Sequence, residues 1–99
     1  MALDFYDISD HRLKNRLFKL IDADMESLAD VLNEYRKATG LRIDEYGTTK
    51  VSQGHVELII QLLDDYLKEV HLKAPVKERL SDIATKFSQS RDGLIAVGD

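Results

Sequence analysis

The sequence predicts an α+β fold: about four helices packed on a small sheet of two to four short strands that includes the N- and C-terminal segments. Three observations predict it. The 99 residues are 43% apolar and 32% charged, too aliphatic for a disordered chain and long enough to bury one core, so residues 1–99 are expected to form a single globular domain. Four stretches repeat apolar residues every three or four positions, the period of a helix with one buried face. The last apolar run, Leu94-Ile-Ala-Val97, does not alternate and sits between Gly93 and Gly98, the pattern of a strand covered on both faces.

Each element follows from local chemistry. Leu3, Phe5 and the adjoining Tyr6 favour a strand near residues 2–7. Ser9 or Asp10 can then cap a short basic helix with Leu13, Leu17, Leu20 and Ile21 on one side and Arg12, Lys14, Arg16 and Lys19 between them. Asp22 or Asp24 is the next expected cap, opening a helix to about Ala38 whose inner stripe is Met25, Leu28, Val31, Leu32 and Tyr35, with Gly40 as the left-handed stop. Glu26, Asp30 and Glu34 fall on the opposite face of that helix, an acidic ridge.

Leu41-Arg42-Ile43 reads as a brief extended segment entering a turn at Asp44–Gly47, and Thr48–Val51 as a returning strand. Ser52 caps the most regular helix, in which Val56, Ile59, Ile60, Leu63, Tyr66, Leu67 and Val70 form the face, while Leu58 and Leu62 add a second flank. Its polar window narrows to Glu57, Gln61, Asp64, Asp65 and Lys68, so cover on two sides is expected. Pro75 suits the first turn of a last helix carrying Val76, Leu80, Ile83, Ala84 and Phe87 and ending near Ser90. The final strand then needs a partner: the N-terminal strand, or the segments near 41–43 or 49–51.

Composition narrows function more than any motif does. The chain has no Cys, which removes disulfides, thiolate metal sites and thiol nucleophiles. Its opening MALDFYDISD bears acids where a secretory leader carries lysines, and no window approaches the roughly 20 apolar residues of a membrane span, so the expected location is the cytoplasm with no membrane partner. A formal charge of −4 argues against nucleic acid and for a cationic partner. The bases of residues 12–19 and of the last helix (Lys73, Lys77, Arg79, Lys86, Arg91) read as wet faces interleaved with Glu78 and Asp82.

Candidate chemistry is sparse. Asp22-Ala-Asp24-Met-Glu26 spaces acids like the start of a calcium loop, but Ser27 stands where the sharp turn needs Gly and Asn33 where a bidentate Glu belongs. His11, His55 and His71 have no metal-ligand spacing, and Ser52, Ser88 and Ser90 lack the glycine context of a nucleophile elbow. The reading is therefore a non-enzymatic protein, with no catalytic residue, metal or cofactor. The acids are regional instead: residues 22–45 hold seven against three bases, and residues 57–69 hold four against one.

MALDFYDISD and GLIAVGD are similar to the ends of small bacterial immunity proteins from polymorphic and contact-dependent toxin systems, which open on a Leu-Asp-Phe strand and close on a Gly-Leu-Ile-x-x-Gly-Asp strand after a helix. About 17 residues carry the resemblance, all of them structural in character. It implies a cytoplasmic inhibitor without activity of its own, which binds one cognate toxin domain, and it carries over no contact residues. A nuclease toxin is basic because its substrate is a polyanion, so an acidic inhibitor can occupy the same surface. The expected partner-binding residues are Asp22, Asp24, Glu26, Asp30, Glu34, Asp44, Glu45, Tyr46, Asp64, Asp65 and Glu69, with Tyr46 as the aromatic anchor. The alternative is a helical adaptor that forms a homodimer through Leu58 and Leu62.

Overall fold

A computed structural model describes residues 2–69 and 71–98. In chain order it contains β1 (Leu3–Asp7), β2 (Phe18–Leu20), α1 (Asp22–Thr39), β3 (Thr48–Ser52), α2 (Gln53–Leu67), α3 (Ala74–Phe87) and β4 (Gly93–Gly98). The four strands form one sheet in the order β2-β1-β4-β3, every neighbouring pair antiparallel. The apolar C-terminal run is thus an inner strand, bonded to β1 through Phe5↔Ala96 and to β3 through Val51↔Leu94.

One face of the sheet meets the helices. Phe5, Phe18, Leu94 and Ala96 belong to a single core cluster with Leu28 of α1, Ile59 of α2 and Phe87 of α3. Phe5 stacks on Phe18 with ring centroids 4.6 Å apart, and Phe87 meets both edge-on at 5.4 Å. Burying three aromatics where β1, β2 and α3 meet removes several hundred Å² of apolar surface from water, so this cluster is the strongest fastening between the layers. On the other face Ile95 is only 3% exposed although it lies outside that cluster; its cross-strand neighbours are Tyr6 and Lys50, long side chains able to lie over it.

The expected short basic helix is absent, so the described residues hold three helices and not four. Its residues form turns and then β2. The Asp10 carboxylate accepts the Lys14 and Asn15 N–H groups at 3.2 and 2.9 Å, Leu13 adopts a left-handed φ of 53°, and the Leu17 N–H donates to the Phe5 carbonyl at 2.8 Å. Side-chain and cross-strand acceptors thus take the N–H groups that a helix would use. Phe18 and Leu20 point inward with Lys19 between them, a period of two, whereas Leu17 and Ile21 of the proposed helical stripe are exposed.

The N-cap of α1 is Ile21, not Asp22 or Asp24, and Asp24 performs the capping from the third helical position by accepting the Ile21 N–H at 3.0 Å. Gly40 closes the helix with φ 74°, its N–H donating to the Arg36 carbonyl at 2.8 Å. Residues 41–43 form no strand; Ile43 is nevertheless buried, and the Asp44 N–H donates to Thr49 Oγ1 at 2.9 Å. Ser52 caps α2 as expected, accepting the His55 N–H at 3.3 Å, and Pro75 lies in the first turn of α3. α2 ends at Leu67, and Val70 lies outside the described residues. Among the described residues no helix is long and apolar enough to cross a membrane.

Candidate functional site

α1 separates two grooves. On one side it packs against α2, where Val31, Glu34, Leu62, Asp65, Tyr66 and Glu69 line a cavity of about 230 Å³. Helical spacing builds it. Glu34 lies one turn beyond the buried Val31 on α1, while Leu62, Asp65 and Tyr66 share a flank of α2 and Glu69 follows one turn on. Tyr66 is the hinge of the arrangement: its hydroxyl donates to Asp30 Oδ2 across the helix pair at 2.7 Å. That bond, then partial burial and the negative charges of Asp30 and Glu69, hold the Tyr66 proton above the ordinary tyrosine range.

The rim of this groove is therefore four carboxylates, Asp30, Glu34, Asp65 and Glu69, from two segments of the chain. Their own ties are exposed: Lys37 Nζ lies 3.4 Å from Glu34, His71 Nδ1 lies 3.7 Å from Glu69, and Gln61 Nε2 donates to Asp65 at 3.1 Å. Exposed pairs of this kind are worth well under about 1 kcal/mol and exchange readily for a partner's cations.

On its other side α1 faces the loop 41–47. Met25, Ala29 and Leu32 of α1 and Ile43 of the loop give an apolar floor, with Arg36, Arg42, Glu45 and Tyr46 around it, enclosing about 350 Å³. A neighbouring hollow at the N-terminal end of α1 is lined by Asp22, Met25, Glu26 and Glu45. Gly98 sets the height of the loop. Its N–H donates to the Gly47 carbonyl at 2.8 Å, and any Cβ at Gly98 would collide with the Glu45 carbonyl.

The eleven acidic and aromatic positions expected from the sequence thus divide. Asp30, Glu34, Asp65 and Glu69 come together at the helix-walled groove, and Asp22, Glu26, Glu45 and Tyr46 at the loop-walled one. Asp64 is exposed on α2. Asp44 turns back to accept the Tyr46 N–H at 2.9 Å and shapes its own turn. Asp24 is buried, its Oδ1 accepting Arg79 Nη1 of α3 at 2.8 Å, so it ties α1 to α3. Tyr46 is 71% exposed, whereas Tyr35 is buried with its hydroxyl 3.0 Å from His55 Nδ1.

No protein-family model, curated protein or solved structure matches the chain. Tyr66, assigned by its spacing to the core face, packs against the core and also lines the groove, and Arg36 and Arg42 are groove residues that no local pattern marked. Leu58 and Leu62, the flank expected to serve a homodimer, are half-buried against this chain's own core.

Proposed function

We propose that this chain is a non-enzymatic binding domain, an immunity protein that neutralises a cognate toxin domain by meeting its basic surface with the α1–α2 groove. One observation carries the reading: two acidic segments, one in α1 and one at the end of α2, converge around a single tyrosine whose hydroxyl is already oriented by Asp30. An aromatic anchor beside an apolar floor of Val31 and Leu62, rimmed by carboxylates, combines the parts of a protein interface that supply affinity and selectivity. The resemblance of the two chain ends to immunity proteins agrees with this, although those ends form β1 and β4 and speak to architecture alone.

The carboxylates act by complementarity. A toxin that handles a polyanion presents Lys and Arg where its substrate binds, and a row of acids competes for those same cations while blocking access. The test begins with the neighbouring gene, which should encode a protein ending in a toxic domain. Cells producing that domain should survive only when this chain is co-produced, and survival should be lost with the D30K/E34K/E69K variant. Killing that this chain does not relieve, or protection that the variant retains in full, would contradict the proposal.

A further inference from the structure

The loop-walled groove is electrically divided along its length. At the C-terminal end of α1 stand Arg36 and Arg42, and neither guanidinium has an ion-pair or hydrogen-bond partner among the described residues. At the N-terminal end stand Glu26 and Glu45, beside Asp22, and neither Glu carboxylate has such a partner. Between them lie the apolar floor of Met25, Leu32 and Ile43 and the amide of Asn33, which can both donate to and accept from a peptide backbone. Tyr46 lines the groove and is 71% exposed, apolar surface that α1 and the loop leave uncovered.

We propose that this groove binds an extended peptide segment of a partner protein, acidic at one end, apolar in the middle and basic at the other. Charge complementarity fixes the ends: a carboxylate pairs with the two guanidinium forks, and an ammonium or guanidinium with Glu26 and Glu45. The length follows from the helix. At 1.5 Å per residue, Glu26 and Arg36 are roughly 15 Å apart along α1, which an extended chain rising about 3.3 Å per residue covers in about five residues. Alternate side chains of such a segment point towards the floor, so its second and fourth positions are apolar. A uniformly basic surface, suited to the α1–α2 groove, would meet Arg36 and Arg42 unfavourably; the two grooves select different chemistry, and this inference does not depend on the toxin reading.

The probe is a blocked, fluorescein-labelled pentapeptide, Glu-Leu-Ser-Leu-Lys, together with its reversed order and with versions carrying Glu or Lys at both ends. One order of the mixed-charge peptide should bind saturably and shift the amide resonances of Met25, Leu32, Ile43 and Tyr46. The R36E/R42E variant should lose at least roughly tenfold in affinity for it and gain affinity for the peptide with two lysines, and E26K/E45K should change preference towards two glutamates. All four side chains are exposed, so circular dichroism should report an unchanged fold for both variants. No saturation by either mixed peptide up to about 1 mM, equal binding of the like-charged peptides, unaltered affinity in both variants, or shifts confined to other residues would overturn the assignment. So would concentration-dependent movement of the same resonances without peptide, which would mean that a second copy fills the groove.

Discussion

The two grooves beside α1 share one wall and differ in the other. The α1–α2 groove is closed by a second helix, and a hydrogen bond between Tyr66 and Asp30 ties its sides together. The groove facing residues 41–47 is closed by a loop that has no secondary structure before Thr48 and is held through Ile43, through Thr49 Oγ1 and by the backbone of Gly98. The helix pair and the residues just after α2 present four carboxylates of one sign, whereas the loop brings a cation and an anion to opposite ends of a trough. Rigid walls and uniform charge suit recognition of a folded basic surface; a loop wall and divided charge suit a short extended segment.

The sharpest way to break that comparison acts on the loop alone. Replacing Gly98 by Ala forces a methyl group into the Glu45 carbonyl, so the loop must leave the sheet or the strand must shift. The expected outcome is a loss of about 2 kcal/mol in urea unfolding, faster hydrogen exchange at residues 44–47, and peptide affinity lost from the loop-walled groove while the helix-walled groove keeps its partner.

Asp24→Ala should weaken both grooves together, because α1 is their common wall. The carboxylate caps α1 at Ile21 and pairs with Arg79, whose own side chain is 40% exposed, so the cost falls below that of a fully buried pair, at about 2 kcal/mol. Thermal unfolding should move down by several degrees, and Asp24→Asn, which keeps one acceptor, should recover part of the loss.

Tyr66→Phe is the smaller change and acts only on the helix-walled groove, at about 1 kcal/mol for the single hydrogen bond to Asp30. It has a pH signature. The folded protein holds the Tyr66 proton more tightly than the unfolded chain, so this contribution is complete below the ordinary tyrosine pKa near 10 and is lost as pH rises through the higher folded value. Burial places Tyr35 in the same alkaline window. Urea unfolding between about pH 8 and 11 should fall less steeply in the Phe variant, and an unchanged slope would remove the interhelical bond from the account.

The fold was legible wherever one periodicity ran long enough. The stripes of 22–39, 53–67 and 74–87, with Gly40, Ser52 and Pro75 as punctuation, mark the three helices, and the glycine-bounded apolar run marks β4. β2 was hidden because three residues cannot display a period, and because Leu13, Leu17, Leu20 and Ile21 happen to recur at helical spacing. Phe18 is fixed by Phe5 and Phe87, contacts distant in sequence that override local propensity. The site divides in the same way. Exposed acids on α1 could be read from helical phase, but the meeting of Asp30 with Tyr66, the inward turn of Asp24 to Arg79 and the placing of Arg42 near Arg36 depend on how the helices pack and the loop returns.

The central claim is that the carboxylates of the α1–α2 groove are the neutralising surface. Carbodiimide labelling of carboxyl groups, read by mass spectrometry on the free chain and on its complex with the domain encoded beside it, tests this directly. Asp30, Glu34, Asp65 and Glu69 should be shielded in the complex while Asp82 and Asp92, exposed elsewhere, react as before. Equal labelling of the four groove residues in the free and bound states would contradict it.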